Sequence, residues 1–159
     1  MSQIYFAHSA LDGRSGHDAG RALLQQLYDQ YVGGQMPPIS VTPRGKPYFA
    51  DCPWHFSISH TKNHAFCVLS DGPVGIDGEE LSRKVSPLLA EKALSAGEQA
   101  QYHRAEDKNR ALLTFWVLKE AQGKCSGKGI GFHPNHTQFS LTDRRVFECD
   151  GCLVAIVSE

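Results

Sequence analysis

The spacing of apolar residues changes along the chain, and the first regular pattern is that of a strand followed by a helix. Apolar residues at 4–7 form a short run. An apolar residue then recurs every four positions, at Ala19, Leu23, Leu27 and Tyr31. Ser15 and Asp18 have the spacing of an N-terminal capping box, with Asp in place of the usual Glu. Gly33 and Gly34 follow the last periodic residue, so the pattern predicts an amphipathic helix that ends there.

The next forty residues alternate between apolar and polar positions in short runs broken by Pro, Gly and Asp. Such runs are typical of strands. The predicted strands are 39–42, 55–59, 65–70 and 74–79. The segment from Arg44 to Phe49 reads as a surface turn, because two cations flank a glycine before a rigid proline.

Helical signals return after position 85. Pro87 suits a first helical turn, Ser95 and Glu98 form a capping box, and Asp107 can cap a long helix that stops at Gly127. Three further strands are predicted at 138–141, 146–149 and 153–157. Strands, then helices, then strands again predict an α+β fold with mostly antiparallel pairing.

Composition narrows the class of protein. The 159 residues fit one ordinary domain with a real core. Sixteen Lys and Arg against 17 Asp and Glu give a net charge of −1, which excludes general nucleic-acid or membrane-surface binding. No apolar run approaches the ~20 residues of a membrane helix. Five irregularly spaced cysteines and an N-terminus without a cationic start lead us to expect reduced thiols and a cytoplasmic protein.

Two segments carry carboxylates in patterns that suit chemistry. Asp77 and Glu79 are two apart in a predicted strand and therefore project from one face, where hard oxygen ligands suit Mg²⁺. Taken alone, such a pair is more often a solvated strand end. Trp116, Glu120 and Lys124 lie four apart and share a helix face, and a Glu–Lys pair at this spacing also stabilises helices by about 0.3 kcal/mol.

A serine-rich strand precedes these acids. Alternation places Ser57 and Ser59 on the face opposite Phe56 and Ile58, with His60 at the strand end. Because neighbouring strand residues point to opposite sides, a hydrolytic Ser59–His60 pair is not expected.

In their order along the chain, these segments resemble the 4′-phosphopantetheinyl transferase family, in particular its Sfp-type enzymes. The resemblance runs from about position 41 to 130 and more weakly to 157. The matching segments are Gly45-Lys46-Pro47, Ser57-Ile58-Ser59-His60, Gly75-Ile76-Asp77-Gly78-Glu79, and Trp116-Val117-Leu118-Lys119-Glu120-Ala121 with Lys124, Gly127, Gly129 and Ile130. The last element is the most specific, since chance rarely supplies eight fixed positions.

The resemblance implies an Mg²⁺-dependent enzyme, with Mn²⁺ as an open alternative, that transfers phosphopantetheine from coenzyme A to a serine of an apo carrier protein. It implies that Asp77, Glu79 and Glu120 hold the metal. Glu120, Lys124 and Asp77 would be the catalytic residues, with Glu120 the candidate general base, acting directly or through water. Trp116 is expected to anchor the helix in the core.

The resemblance also implies residues that bind coenzyme A. His60 would contact its phosphates with Ser59 beside it, Lys46 would meet the phosphorylated ribose, and Lys124 would lie near the pyrophosphate. The segment before Arg44 is shorter than in most Sfp-type members, so Arg44 is a further candidate for the nucleotide.

For the architecture, the resemblance implies two similar α+β halves, approximately 1–73 and 74–159, with the first half reduced. We expect a monomer. Gly78 stands where the family usually has an apolar β-branched residue, so a looser strand end is expected. Glu80 is a third acid that leaves the register of the acidic motif open by one residue.

Two other functions stay open at this point. A non-catalytic homologue could bind coenzyme A or a carrier protein without transfer. Alternatively, His133, His136, Cys149 and Cys152 offer four zinc ligands, although their spacing is not a usual finger pattern and the two cysteines flank a predicted hairpin turn.

Overall fold

A computed structural model of the chain describes residues 2–129 and 137–159. Its elements, in chain order, are β1 (Ile4–Ala10), α1 (Gly16–Tyr31), β2 (Ile39–Val41), β3 (Pro47–Phe49), β4 (His55–His60), β5 (His64–Ser70), β6 (Val74–Glu80), α2 (Leu88–Ala93), α3 (Ala96–Arg104), α4 (Lys108–Ser126), β7 (Val146–Cys149) and β8 (Cys152–Ser158).

The described strands form three antiparallel sheets. β5 is the middle strand of the first sheet, in the order β1-β5-β4, and β8 is the middle strand of another, in the order β6-β8-β7. β2 and β3 pair as a separate two-stranded ribbon. The predicted α+β class with antiparallel pairing is therefore confirmed.

Helix α1 covers one face of the first sheet through small residues. A Cβ added at Gly20 would lie 2.4 Å from Ile58 Cγ2, and one at Gly16 would lie 2.2 Å from the His60 ring. These glycines therefore let the helix backbone approach β4 closely. Leu23, Leu24 and Leu27 fill the space beside them and form a core with Phe49 and Phe56.

Helix α4 packs against β6 and β8 with a similar close approach. A Cβ at Gly75 would lie 2.0 Å from the carbonyl oxygen of Ala121 and 2.5 Å from the amide nitrogen of Cys125. Only glycine fits this position without moving the helix backbone. The core here includes Phe115 and Leu118 of α4 and Leu153, Ala155 and Val157 of β8.

A third cluster lies between the two three-stranded sheets. Phe66 and Val68 of β5 pack against Val74 and Ile76 of β6, and Cys152 and Val154 of β8 complete the cluster. The two sheets therefore share apolar contacts, with α1 and α4 on their outer faces.

Helix termini follow the sequence closely. Ser95 and Glu98 form the full capping box, the Asp107 side chain accepts from the Arg110 amide, and Gly127 adopts a left-handed conformation after α4. Ser15 caps α1 by accepting from the amide of Asp18, the half of the predicted box that the structure displays. Pro87 lies just before the first residue of α2 rather than inside its first turn.

The predicted strand at 138–141 is wrong. The amide of Phe139 donates to Glu98 Oε2 at 2.8 Å, and the amide of Leu141 donates to Gln101 Oε1 at 3.0 Å. Side chains of α3 thus take the hydrogen bonds that a neighbouring strand would otherwise provide. Conversely, the turn predicted at 44–49 contains the short strand β3. Among the described residues, no helix combines the length and apolar character needed to cross a membrane.

Candidate active site

The side chains of β6 alternate between two environments. A Cβ at Gly75 would meet α4, and Asp77 contacts Lys124 of the same helix. On the other face, a Cβ at Gly78 would lie 2.7 Å from the Phe66 ring, and Glu80 bonds to residues near the start of β5. The predicted shared face of Asp77 and Glu79 therefore looks toward α4, and Glu80 belongs to the opposite face.

Asp77 is the most buried acid of this face, at 8% exposure. Its Oδ1 accepts from Ser59 Oγ at 3.3 Å and from Lys124 Nζ at 3.4 Å, whereas its Oδ2 is buried without a hydrogen-bond partner. Burial raises the pKa of Asp77 to about 7; Lys124 opposes this, and the charges of Glu120 and Glu79 add to it. A buried carboxylate with an unpartnered oxygen is a position that a cation can fill.

Glu120 and Glu79 extend the acidic group toward solvent. Burial raises the pKa of Glu120, and Glu79 contributes in the same direction, while Lys124 and Arg83 lower it. Glu79 also forms an ion pair with Arg83. Of the three carboxylates predicted from the sequence, Glu79 thus lies close enough to raise the pKa of both Asp77 and Glu120, although the oxygens of the three are not all within 4.8 Å of each other.

The donor chemistry of this group fits a hard divalent cation. Asp77, Glu79 and Glu120 offer only carboxylate oxygens, the ligands that Mg²⁺ takes in proteins. The buried, unpartnered Oδ2 of Asp77 supports the fit, because a bound cation would compensate a desolvated oxygen that otherwise destabilises the fold.

The two serines of β4 join the first sheet to β6. Ser57 Oγ accepts from the amide of Ile76, and Ser59 Oγ accepts from the amide of Gly78, each at 3.1 Å. Lys124 Nζ donates to the carbonyl oxygens of Ile58 at 3.2 Å and of Ile76 at 2.9 Å. Two hydroxyls and one ammonium therefore form hydrogen bonds with the backbone amide and carbonyl groups of β6 along the edge that faces β4. We refer to this set of contacts as the serine seam.

A cavity of about 310 Å³ opens beside the seam. Among the described residues that line it, four are cationic and none is acidic. They are Arg44, Lys46, Lys124 and Lys128. Such a lining attracts anionic groups.

The cationic residues of the 44–46 turn also hold the end of α4. Lys46 Nζ donates to the carbonyl oxygens of Lys124 and Cys125, and Arg44 Nη1 donates to the carbonyl of Lys128 at 2.7 Å. Burial lowers the pKa of Lys46. The structure therefore brings Lys46 to Lys124 and gives Lys46 a contact with the C-terminal carbonyls of α4, whereas Arg44 contacts a residue that follows the helix. Sequence reasoning missed both contacts.

His60 lies elsewhere. It is exposed at the end of β4, and its ring packs against Gly16 at the start of α1, whereas Ser59 points to Gly78 and Asp77 on the opposite side. The expectation that Ser59 and His60 do not form a hydrolytic pair is confirmed. His60 does not line the cationic cavity.

Trp116 is half-buried and lies outside the described core clusters, so Phe115 and Leu118 anchor α4 instead. The strand is not loosened at Gly78: β6 stays paired with β8 through Glu80, because the Phe66 ring fills the space that a side chain would occupy. Ser57 and Ser59 share one face of β4, and both are buried against β6.

The four zinc ligands that the sequence offered as an alternative are only partly described. His133, His136 and the motif residue Ile130 lie outside the described residues. Cys149 ends β7 and Cys152 begins β8, so the two are cross-strand partners that flank the hairpin turn, and both are free thiols. Sequence reasoning also missed Arg83, which approaches Glu79 because the turn after β6 folds back on the strand.

The chain is similar in sequence to a known protein family and to several of its members. A family model described as the 4′-phosphopantetheinyl transferase superfamily matches residues 73–153. The chain is 30% identical over 125 residues to 4′-phosphopantetheinyl transferase psf-1 of Bacillus pumilus, covering 72% of this chain and 53% of that protein. It is 33% identical over 124 residues to the transferase HetI of Nostoc sp., covering 70% and 52% respectively. It is 35% identical over 89 residues to the transferase gsp of Aneurinibacillus migulanus, covering 54% and 36%. The chain thus spans about half the length of these relatives, or less.

Proposed function

Because the chain belongs to the 4′-phosphopantetheinyl transferase superfamily, we propose that it transfers the phosphopantetheine group of coenzyme A to a serine of an apo carrier protein, with 3′,5′-ADP as the other product. One observation carries the proposal beyond family membership. Three mutually interacting carboxylates lie between β6 and α4, where Lys124 links them to a cavity lined by cationic side chains.

The cavity is the proposed site for coenzyme A. Its cationic lining suits a ligand that carries a pyrophosphate and a ribose phosphate. In the proposal Arg44 and Lys46 approach the nucleotide end and Lys124 the pyrophosphate. Ser59 keeps Asp77 in position, because its hydroxyl donates to Asp77 Oδ1. His60 would meet a phosphate from the other side of β4, at the N-terminus of α1, where the helix dipole favours negative charge.

Asp77, Glu79 and Glu120 would hold the metal, for which we propose Mg²⁺. When bound, the cation would offset the negative charge of the pyrophosphate and of the three carboxylates. Arg83 pairs with Glu79 in the described structure and would keep this carboxylate oriented at the solvent side.

The transfer itself exchanges one oxygen–phosphorus bond for another. The carrier serine oxygen bonds to the β-phosphorus, and the bond from that phosphorus to the bridging oxygen breaks, releasing 3′,5′-ADP. The serine proton goes to a carboxylate oxygen of Glu120, whose pKa is raised by burial and which is therefore suited to accept it. The Lys124 ammonium offsets the charge that develops on the leaving phosphate.

The proposal also covers the organisation of the chain into halves. We propose two halves, 1–73 and 74–159, acting as one monomer. Separate core clusters around α1 and around α4 support this division.

We also propose a cytoplasmic location. Five free cysteines, including the facing pair Cys149 and Cys152, support a reducing environment of this kind.

Intact-mass measurement of a carrier protein tests the function. Apo carriers of the acyl, peptidyl and polyketide types are incubated with coenzyme A, Mg²⁺ and the purified chain. Transfer adds about 340 Da, the phosphopantetheine group on one serine. We expect Asp77→Asn and Glu120→Gln to abolish the gain with folding intact by circular dichroism, while Glu106→Gln, an exposed acid outside the site, retains it.

The outcomes separate the alternatives. Coenzyme A binding without any mass gain would assign the chain to the non-catalytic binders. Mass gain that survives both Asp77→Asn and Glu120→Gln would contradict the site while leaving the family assignment unchanged.

A further inference from the structure

The face of β6 that looks away from α4 carries a second group of potential metal ligands. Glu80 is the last residue of β6, His64 the first of β5 and Cys152 the first of β8. Glu80 and Cys152 are directly opposite each other in the antiparallel pair. One ligand atom from each of the three residues lies within 4.8 Å of the other two.

The separations within this group are close to those of a tetrahedral zinc site, with the two carboxylate oxygens of Glu80 facing different partners. His64 Nδ1 is 3.3 Å from Glu80 Oε1, Cys152 Sγ is 3.5 Å from His64 Nδ1, and Cys152 Sγ is 3.6 Å from Glu80 Oε2. Ligands bound tetrahedrally at normal zinc distances are separated by about 3.3 Å for nitrogen and oxygen and by about 3.5 Å where sulfur is one of the pair. The His64–Glu80 separation is also longer than the usual hydrogen-bond range of about 2.7–3.2 Å.

We propose that His64, Glu80 and Cys152 form a Zn²⁺ site on the face of the β6-β8-β7 sheet opposite the proposed transferase site. An imidazole, a carboxylate and a thiolate are zinc ligands, whereas Mg²⁺ takes oxygen ligands. The thiol of Cys152 loses its proton to solvent when the sulfur–zinc bond forms.

Neighbouring polar side chains complete the arrangement. Thr61 Oγ1 donates to Glu80 Oε1 at 2.7 Å, and Asn63 Nδ2 donates to the same oxygen at 3.3 Å. Such contacts orient a ligating carboxylate. Glu80, Thr61 and Asn63 also border a cavity of about 380 Å³, so the carboxylate side of the group is open to solvent.

The burial of the group favours it over the second cluster of the same type. His8, Cys149 and Asp150 also have ligand atoms within 4.8 Å, but His8 and Asp150 are exposed. Cys152 is fully buried, and the side chains of His64 and Glu80 are each 19% exposed. The exposed cluster supplies a matched control, because Cys149 is the cross-strand partner of Cys152.

Metal titration of the full chain tests the site. Protein freed of metal with EDTA and kept reduced is titrated with Zn²⁺ against a chromophoric chelator, and with Co²⁺ for its thiolate charge-transfer band. We expect one Zn²⁺ per chain and a cobalt–thiolate band. Both persist in Cys149→Ser and are lost in Cys152→Ser. Thr61→Val, which removes an orienting contact, weakens binding about 10–100-fold.

Three results would overturn the proposal: no Zn²⁺ binding, unchanged binding by Cys152→Ser, or loss of binding in Cys149→Ser but not in Cys152→Ser. If Cys152→Ser does not fold, His64→Gln provides the same comparison, with loss of the metal expected. These readouts do not involve carrier proteins or coenzyme A, so they stand whatever the outcome of the transfer assay.

Discussion

A buried ion pair between α3 and α4 gives the sharpest stability prediction. Lys119 Nζ lies 2.8 Å from Glu98 Oε1, and the two side chains are 2% and 0% exposed. Glu98 also accepts from the amides of Ser95 and Phe139, each at 2.8 Å. Lys119 donates to the carbonyl of Thr137 at 2.8 Å. The pair therefore fixes α3 and the 137–139 segment against α4.

Lys119→Met removes the ammonium and keeps most of the apolar stem. The Glu98 carboxylate is then buried without its cation, which costs about 3–5 kcal/mol when one partner of such a pair is lost. Adding Glu98→Gln removes the charge and leaves an oxygen that still accepts from one backbone amide. We expect the double variant to recover about 1 kcal/mol or more, because interaction energies between contacting residues are about 0.5–3 kcal/mol.

Urea unfolding followed by circular dichroism measures these free energies. Lys92→Met, at an exposed position of α2, is the control and is expected to change stability by less than about 0.5 kcal/mol. A loss below about 1 kcal/mol in Lys119→Met, outside the range for a buried pair, would refute the reasoning. So would a double variant no more stable than Lys119→Met.

Three further predictions concern β6 and the 44–46 turn. Gly75→Ala places a methyl against the α4 backbone and is expected to lose about 1–3 kcal/mol or more in urea unfolding, whereas Gly72→Ala, which meets only the flexible Ser2 side chain, is expected to be near neutral. The pKa of Asp77 is raised from 3.8 to about 7 in the folded chain. The protonated carboxyl therefore contributes its full share to the free energy of unfolding below pH 4, and this contribution is lost as the pH rises through 7. In EDTA, Asp77→Asn should therefore match the unsubstituted chain near pH 4 and exceed it by up to about 4 kcal/mol above pH 7; equal stability at pH 8 would contradict this. Lys46→Met removes a cation from the α4 C-terminus and is expected to cost about 1 kcal/mol, and an unchanged urea midpoint would argue against the capping role.

Local patterns were sufficient to predict most elements of this fold. The four-residue repeat of α1, the caps at Ser95 and Asp107, and the alternation in β4 and β6 all depend on neighbours in sequence, and the structure follows them. The same alternation predicted that Asp77 and Glu79 share a face. Helical spacing alone could place Glu120 and Lys124 on one side of α4.

The remaining features depend on tertiary contacts that no local pattern encodes. Residues 138–141 look like a strand, but α3 side chains from about forty positions earlier satisfy their amides. Glu79 and Glu80 lie on different faces of β6 because α4 packs on one side of the strand and Phe66 on the other, and neither neighbour is close in sequence. His64, Glu80 and Cys152 have no motif spacing, because three different strands bring them together.

The serine seam has a consequence for how the two large sheets are aligned. Between paired strands, backbone groups hold the alignment whatever the side chains are; across the seam, Ser57, Ser59 and Lys124 hold it. The two serine hydroxyls are two residues apart, and they accept hydrogen bonds from two amides of β6 with the same spacing, those of Ile76 and Gly78. The alignment of the sheets therefore depends on these side chains as well as on the apolar cluster that the sheets share, and a point substitution in the seam leaves the hydrogen bonds within each sheet unchanged. Ser57 and Lys124 also line the cavity, so the side chains that align the sheets also help to set its width.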